Sequence, residues 1–250
     1  MAADVTPRPP LRRTDVIEAV LFDAGGVLVV PDPTVFAPLL APYGGSSDLD
    51  AHVRAHYRAM AAKSRTGGLE WDWAVYDEAY VDDVGVPADE RDDAAMVLNA
   101  TRHAHLWRYP VADGLEGLAA LARGGVAVGV VSNASGQIEA MLCRIGACQV
   151  GDGNGTSVRC IVDSHVVGVA KPDPAIFDHA APLLGVLDRA NIAYIGDSVT
   201  IDVGAARAAG MQPVLYDPFD DHVDDEDGTF ERITSIRTWA RMTVLRDPAA

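Results

Sequence analysis

Short apolar runs, each ending at a polar residue, recur along the chain and predict buried strands. The first run covers residues 16–22 and ends at Asp23, which Gly25 and Gly26 closely follow. Later runs of this kind cover residues 126–131, 159–162, 192–195 and 213–216. Helix-length segments lie between or after them, at residues 115–122, 137–145, 174–184 and 201–209. Strands that alternate with helices imply right-handed crossovers, so we expect a parallel sheet covered by helices.

The segment after the first strand has a different spacing. In residues 34–107 the apolar side chains recur three or four positions apart, which predicts helices, one of them at residues 95–107. The apolar positions with this spacing include Leu49, Val53, Tyr57 and Met60. We therefore predict an α/β fold, with a doubly wound sheet core in residues 1–31 and 110–250 and a helical domain inserted as residues 32–109.

Composition narrows the class of protein. The formal net charge is −16, which disfavours binding to nucleic acid or to an anionic membrane surface. No segment approaches the length of a membrane span, about 20 apolar residues. The first residues lack a hydrophobic signal core, and the three cysteines lack zinc-site or disulfide spacing. We expect a cytoplasmic protein that acts on a small molecule. The acidic run at residues 217–227 is interpreted as a solvated loop.

Polar residues with catalytic potential follow several of the predicted strands. Asp23 follows the first strand, Ser132 and Asn133 follow the second, and Asp197 follows the fourth. In open α/β sheets the binding crevice lies at the carboxyl ends of the strands. We therefore expect these side chains to meet at one edge of the sheet.

Lys171 is predicted to face the same crevice. Asp173 is suited to cap a helix that begins at Pro174, which would fix Lys171 at the start of that helix. The combination suits phosphoryl transfer to a carboxylate, which needs a nucleophile, a divalent cation and cationic or hydroxyl groups around the transferred group. Taken singly, each residue also fits an ordinary turn, helix cap or surface position. Their joint placement at strand ends favours a site.

Each of these residues has a candidate role. Asp23 is the candidate nucleophile, and Ser132 can donate a hydrogen bond to a phosphoryl oxygen. Lys171 can hold Asp23 ionised. Asp23 and Asp197 are candidate ligands of Mg²⁺, which prefers oxygen, and Asp202 could orient the waters of the metal. Without a cation, three converging carboxylates would raise each other's pKa.

These motifs resemble those of the haloacid dehalogenase-like (HAD) hydrolase superfamily, and the resemblance covers nearly all of the chain. Residues 22–28 are similar to the nucleophile motif of the family, and residues 131–133 are similar to its phosphate-binding motif. Residues 168–174 resemble its lysine motif, and residues 196–198 with Asp202 resemble its metal motif. The helical insertion is similar to that of the helical-cap subgroup.

The resemblance implies a Rossmann-like core, a Mg²⁺ cofactor and an aspartyl intermediate. It implies that Asp23, Asp197 and Asp202 serve the metal together with the backbone carbonyl of Gly25. It also implies that Ser132, Asn133 and Lys171 bind the phosphoryl group.

Gly25 departs from the pattern of the family. Most phosphatases of the family carry a second Asp at this position as general acid and base. The loss of such a group typically costs about 10²–10⁴ in rate. Leaving groups that need little protonation, such as acyl phosphates, would depend on it less. Asp32 is a candidate substitute acid, although an Asp between two prolines is also typical of a turn.

We predict a Mg²⁺-dependent phosphatase of small phosphorylated metabolites. Two alternatives remain open. Dehalogenases of the family also lack the second Asp, but they typically carry an aromatic residue at the position of Gly25 and need no metal. The other alternative is a catalytically weakened protein that binds a phosphorylated ligand or a partner protein.

Histidines and tryptophans of the inserted domain are secondary candidates for substrate binding. The histidines are His52, His56, His103 and His105. Solvent-facing or packed histidines are the favoured interpretation, because no carboxylate or Cys partner accompanies them at ligand spacing. The tryptophans Trp71, Trp73 and Trp107 are expected to pack within the inserted domain or against the core.

Overall fold

A computed structural model describes residues 16–67, 73–222 and 229–246. Its strands are β1 (Ala19–Phe22), β2 (Val29–Pro31), β3 (Trp107–Pro110), β4 (Ala127–Ser132), β5 (Cys148–Val150), β6 (Thr156–Val158), β7 (Ile161–Asp163), β8 (Ile192–Gly196), β9 (Gln212–Tyr216) and β10 (Glu231–Ile233). Its α-helices are α1 (Pro33–Leu40), α2 (Leu49–Arg65), α3 (Ala74–Asp83), α4 (Arg91–Thr101), α5 (Ala112–Arg123), α6 (Ile138–Arg144), α7 (Ser164–Val167), α8 (Ala181–Leu184), α9 (Gly204–Ala208) and α10 (Ile236–Arg246).

A six-stranded sheet in the order β10-β9-β8-β1-β4-β7 forms the centre of the molecule. All of its neighbouring strands pair in parallel. β1 lies between β8 and β4, so that Phe22 pairs with Ile195 on one side and with Val130 on the other. The prediction of an α/β fold with a Rossmann-like parallel-sheet core is confirmed.

Successive residues of β1 pack on opposite faces of this sheet. Val20 and Phe22 belong to an apolar core that includes Leu118 of α5. Ala19 and Leu21 belong to a second core, which includes Phe177. Side chains alternate across a strand, so a completely apolar strand is stable when helices cover both faces. This burial holds the carboxyl end of β1, and hence Asp23, in a fixed position.

The helices α1–α4, here called the helical insertion, follow β2 and precede β3 in the chain. They have an apolar core of their own, in which Phe36, Tyr76 and Leu98 are buried. β2 and β3 pair antiparallel at the two chain connections of the insertion. The helical spacing of residues 34–107 did not predict these two strands. The predicted helix at residues 95–107 was wrong at its end, because α4 stops at Thr101 and Trp107 begins β3.

Two other predicted helices differ from regular α-helices. Residues Pro174–His179 form a 3₁₀-helix, and the α-helix α8 begins only at Ala181. Pro182 explains the break, since proline has no N–H to continue a helix and clashes with the preceding turn. The helix predicted at 201–209 begins earlier, as a π-helical turn at Val199–Val203 that continues directly into α9. π-helical turns occur often at functional sites.

The acidic run at 217–227 was only partly interpreted correctly. Asp217 is buried and forms an ion pair with Arg232, so it is not a solvated residue. Residues 223–227 lie outside the described residues.

In the described part of the chain, Cys148 and Cys160 are buried free thiols and Cys143 is an exposed one. No helix in the described part of the chain has the length and apolar character needed to span a bilayer.

Candidate active site

Asp23 lies at the carboxyl end of β1, where the chain turns sharply. Its Oδ1 accepts a hydrogen bond of 2.7 Å from the N–H of Ala24. Gly26 has a φ of +66°, and a Cβ on this residue would collide with the carboxylate of Asp197. Glycine is the residue that adopts this backbone conformation without a steric cost. Gly26 therefore lets the loop of Asp23 approach the loop of Asp197 closely.

Lys171 is almost completely buried and is held by three polar side chains. Its Nζ lies 3.0 Å from Oδ1 of Asp23 and 2.7 Å from Oδ1 of Asp202. It also donates a hydrogen bond of 2.7 Å to the hydroxyl of Tyr194. Asp173 accepts from the N–H of Ala175, which is the predicted cap. The ammonium group of Lys171 thus links the candidate nucleophile to the candidate metal motif.

Asp23, Asp197 and Asp202 converge at one point. One carboxylate oxygen from each lies within 4.8 Å of the others, and all three residues are buried. Oδ2 of Asp202 accepts hydrogen bonds from the N–H groups of Asp197 and Ser198. Oδ2 of Asp197 is buried without a hydrogen bond from any described residue. This oxygen-rich, anionic cluster with an unsatisfied carboxylate oxygen fits Mg²⁺.

The pKa values show how strongly the cluster disfavours its own negative charge. Burial, opposed by Lys171 and assisted by Asp202 and Asp197, raises the pKa of Asp23 to about 7. Burial and the neighbouring Asp202 raise the pKa of Asp197 to about 8. Burial alone would lower the pKa of Lys171, but Asp202 and Asp23 outweigh it and raise this pKa. A bound divalent cation would relieve the repulsion among the carboxylates.

Ser132 and Asn133 lie at the end of β4 on the same side. Ser132 is buried and lines a cavity of about 400 Å³ together with Asp23 and Lys171. Asn133 forms two hydrogen bonds with the backbone of Lys171. Its Nδ2 donates to the carbonyl of Lys171 at 2.9 Å, and its Oδ1 accepts from the N–H of Lys171 at 2.8 Å. The sequence predicted Asn133 as a substrate contact, and the structure adds this positioning contact with Lys171. Gly25 also lines the cavity.

The helical insertion covers this cavity with cationic and aromatic side chains. The cavity-lining residues of the insertion and of its return strand include Met60, Lys63, Trp73, Arg102 and Trp107. The rings of Trp73 and Trp107 are 6.2 Å apart, centroid to centroid. Ser64 of α2 approaches Ser198, the residue after Asp197, with 3.3 Å between their hydroxyl oxygens. Trp71 lies outside the described residues.

His56, a secondary candidate for substrate binding in the sequence, lies beside the carboxylate cluster. Its Nε2 lies 3.5 Å from Oδ2 of Asp197, and its Nδ1 lies 2.9 Å from the hydroxyl of Tyr76. Both the Nε2 and the facing carboxylate oxygen are buried without another partner among the described residues. The sequence favoured a packed or solvent-facing histidine, and His56 is packed, but its contact with a carboxylate was not predicted. His56 and Asp197 are far apart in the sequence, so no local spacing could signal the contact.

The other histidines of the inserted domain, His52, His103 and His105, contact partners outside the cavity. His52 is buried and bonds the hydroxyl of Tyr80 and the carbonyl of Ser46. His103 and His105 are exposed, and their rings stack on each other. None of these three lines the cavity described above.

Asp32 does not suit the role of substitute acid. It caps α1 by accepting from the N–H and the hydroxyl of Thr34, and it forms an ion pair of 2.8 Å with Arg108. Partial burial works to raise the pKa of Asp32, but the hydrogen bonds from Thr34 and Arg108 lower it below its ordinary value. A carboxyl group of this kind is ionised at neutral pH and has no proton to donate.

A parallel α/β core with a buried lysine–carboxylate centre at its strand ends defines the class of protein, and sequence comparison identifies the family. The profile of the haloacid dehalogenase-like hydrolases matches residues 17–210. The chain therefore belongs to this family of hydrolases.

One relative with a similar sequence is a phosphatase. A phosphoserine phosphatase of Thermus thermophilus is 30% identical over 167 residues, which span 64% of this chain and 63% of that protein. The chain thus matches less than two thirds of the length of this relative.

Solved structures of phosphatases and of dehalogenases share the fold. A HAD phosphatase from Thermococcus onnurineus has 21% identity and a TM-score of 0.53, with 90% of this chain and 97% of that chain covered. A 2-haloacid dehalogenase from Pseudomonas syringae pv. Tomato DC3000 has 19% identity and a TM-score of 0.51, with 92% and 98% covered. At these identities the likeness concerns the fold alone.

Proposed function

We propose that the chain is a Mg²⁺-dependent phosphatase of small phosphorylated metabolites, with Asp23 as the nucleophile. The observation that carries the proposal is the buried ion pair between Lys171 and Asp23, set beside Asp197 and Asp202 in one cavity. The similarity to a phosphoserine phosphatase supports the same reaction class. The division into a core, residues 1–31 and 110–250, and a helical cap, residues 32–109, is part of this proposal.

In the proposed first step, a carboxylate oxygen of Asp23 attacks phosphorus and the bond from phosphorus to the leaving oxygen breaks. Lys171 keeps Asp23 ionised and orients it, while Ser132 donates to a phosphoryl oxygen. The cation, held by Asp23, Asp197 and the carbonyl of Gly25, with Asp202 orienting its waters, would neutralise charge on the phosphoryl group. The product of this step is a phosphorylated Asp23 and a free leaving group.

In the second step, water attacks the phosphorus of the aspartyl phosphate. The bond between phosphorus and the oxygen of Asp23 breaks, which releases inorganic phosphate and regenerates the carboxylate. With glycine at position 25 and with Asp32 ionised, neither residue supplies a proton to the leaving group. We therefore expect acyl phosphates and other substrates with acidic leaving groups to react faster than alkyl phosphates.

The dehalogenase alternative has one specific observation in its favour. The ring of Trp107 fills the space beside Gly25, and dehalogenases of the family typically have an aromatic residue at that position. The carboxylate cluster favours the phosphatase, because a metal-independent reaction has no need for Asp197 and Asp202 to converge on Asp23.

A substrate panel separates these functions. Acetyl phosphate, alkyl phosphates and 2-haloacids are incubated with the full chain, with Mg²⁺ or with EDTA. The phosphatase releases phosphate only with Mg²⁺, and the Asp23→Asn variant does not. Halide release that is insensitive to EDTA would instead establish a dehalogenase. Ligand-induced thermal stabilisation without turnover of any compound would indicate a binding protein.

A further inference from the structure

The hydroxyl of Tyr194 lies next to two side chains that the proposed reaction uses. It accepts a hydrogen bond of 2.7 Å from Nζ of Lys171, and it lies 3.2 Å from Oδ1 of Asp202. Tyr194 is 1% exposed, and it is not among the described residues that line the cavity above Asp23. A substrate in that cavity would not touch Tyr194, so any effect of this residue on the reaction must pass through its neighbours.

We propose that Tyr194 is a positioning residue for phosphoryl transfer, and that its hydroxyl holds the ammonium group of Lys171 against the nucleophile Asp23. The inference rests on the proposed phosphatase function and deepens it. It assigns a role in the reaction to a residue of the apolar core outside the cavity.

The partners of the ammonium group fix its position. A lysine ammonium has three N–H donors and no acceptor. Three acceptors match these donors: the hydroxyl of Tyr194 at 2.7 Å, Oδ1 of Asp202 at 2.7 Å and Oδ1 of Asp23 at 3.0 Å. Two acceptors alone would let the nitrogen rotate about the line that joins them, whereas a third one fixes it. The hydroxyl is uncharged, so it holds the ammonium without offsetting the positive charge that Asp23 needs.

The ring of Tyr194 is itself held in place by the sheet and the core. β8 pairs with β1 so that Tyr194 lies beside Leu21, and both residues belong to the second apolar core. The ring packs edge-to-face against Phe177, with 4.9 Å between the ring centroids. The hydroxyl donates to the carbonyl of Val131 on β4 at 3.0 Å. The side chain therefore extends from β8 past β1 to β4, and is fixed by the strands on both sides of the nucleophile.

The direction of these hydrogen bonds shows what the loss of the hydroxyl would do. Because the ammonium of Lys171 only donates, the hydroxyl accepts from it and keeps its single proton for another acceptor. Phenylalanine at position 194 would keep the ring and its packing but would leave one donor of Lys171 without its acceptor. A buried donor without a partner is unfavourable, so we expect the ammonium to move away from its position beside Asp23.

The first test measures how fast Asp23 becomes phosphorylated in a single turnover. The wild type and Tyr194→Phe are mixed with acetyl phosphate and Mg²⁺ and quenched with acid at successive times. Tyr194→Phe should form phosphorylated Asp23 about 10- to 100-fold more slowly, since a misplacement of about 1 Å can cost about 10²-fold in rate. Calorimetry with acetonylphosphonate, which is not hydrolysed, should show a change in affinity below about threefold, because Tyr194 lies outside the cavity.

Tyr80→Phe is the matched control for this substitution. Tyr80 is also 1% exposed, and its hydroxyl lies 3.0 Å from Nδ1 of His52 in the helical insertion. This variant loses a buried hydrogen bond through the same chemical change, so it should lower Tm and leave the phosphorylation rate of Asp23 unchanged. Equal slowing in the two variants would overturn the proposal, because Tyr194 would then act only through the stability of the fold.

A measurement without turnover follows the ammonium group itself. Lys63 and Lys171 are the only lysines in the sequence, so ¹⁵N-lysine labelling gives two side-chain signals in nuclear magnetic resonance, which Lys63→Arg assigns. Tyr194→Phe should shift the signal of Lys171 and speed the exchange of its protons with water, while the signal of Lys63 stays unchanged. Tyr80→Phe should change neither signal. An unchanged Lys171 signal in Tyr194→Phe would overturn the proposal.

The two measurements separate this inference from the proposed function. If the wild type forms no phosphorylated Asp23, the phosphatase is rejected, and the signal of Lys171 still shows whether Tyr194 holds the ammonium. If the wild type and Tyr194→Phe form phosphorylated Asp23 at the same rate, the phosphatase is retained and the positioning role of Tyr194 is rejected.

Discussion

The indole ring of Trp107 lies against Gly25. A Cβ built on Gly25 would be 3.1 Å from Cζ3 of Trp107, which is closer than an ordinary van der Waals contact. Trp107 is itself held by an edge-to-face contact with His56, with 5.2 Å between ring centroids. Most related phosphatases carry a catalytic Asp at this position. In this chain the position is Gly25, and the adjacent ring of Trp107 has little freedom to move.

This contact predicts that an acid cannot be restored at position 25 by one substitution. Gly25→Asp alone should displace Trp107 and leave the turnover of propyl phosphate unchanged or lower. Gly25→Asp combined with Trp107→Leu should turn over propyl phosphate at least about tenfold faster than Trp107→Leu alone, since a positioned general acid contributes about 10²–10⁴ in rate. Acetyl phosphate, which needs no acid, is the control substrate. A double variant no faster than Trp107→Leu would contradict this account of Gly25.

The carboxylate cluster predicts how stability depends on pH and metal. Burial raises the pKa values of Asp23 and Asp197 from 3.8 to about 7 and about 8, so the folded state binds protons more tightly than the unfolded state. This contribution to stability is complete below pH 3.8 and is lost as the pH rises through 7 and 8. Without metal, the contribution of Asp23 and Asp197 should therefore lower Tm as the pH rises from 5 to 8.5.

Mg²⁺ should reverse this trend because it binds the ionised carboxylates. We expect the increase in Tm on adding Mg²⁺ to be several degrees at pH 8.5 and small at pH 5, in scanning calorimetry with EDTA as the metal-free reference. Asp197→Asn should weaken both the pH dependence and the metal effect. An equal metal effect at the two pH values would contradict the assignment of the cluster as the metal site.

The contact between His56 and Asp197 predicts a role for the insertion in metal binding. His56→Phe removes the buried imidazole beside Oδ2 of Asp197 and should weaken Mn²⁺ binding about tenfold, which is typical for partners of metal ligands. Electron paramagnetic resonance of free Mn²⁺ measures this affinity without any substrate.

His52→Phe is the matched control for this substitution. His52 is buried on the same helix, α2, but bonds Tyr80 and the carbonyl of Ser46. This variant should lower Tm and leave the Mn²⁺ affinity unchanged. If both variants weaken Mn²⁺ binding equally, His56 acts only through the stability of the fold.

The parallel core could be predicted from the sequence because its signals are local. An apolar strand such as β1 followed by Asp23, Gly25 and Gly26 marks both a buried element and the turn after it. The cap formed by Asp173, two residues after Lys171, could also be predicted, since Asp and Pro at a helix start have distinct preferences. Side chains at the carboxyl ends of parallel strands then had to lie near one another.

Contacts between the insertion and the core could not be predicted in this way. His56 meets Asp197, and Lys63 meets Trp73, through packing between segments that no spacing relates. Tyr194 lies within the predicted strand at 192–195, which gives no sign that its hydroxyl accepts from Lys171 and donates to the carbonyl of Val131 at 3.0 Å. The strands β2 and β3 were missed because each is three or four residues long and they pair across the whole insertion.

The central claim is that Asp23 becomes phosphorylated during turnover. The most direct measurement is an acid quench of the enzyme with acetyl phosphate and Mg²⁺, followed by mass spectrometry of the peptide that contains residue 23. The account predicts a phosphoryl group on Asp23 that is absent with EDTA and absent in Asp23→Asn. Phosphate release at an undiminished rate from Asp23→Asn, with no modified peptide in the wild type, would contradict it.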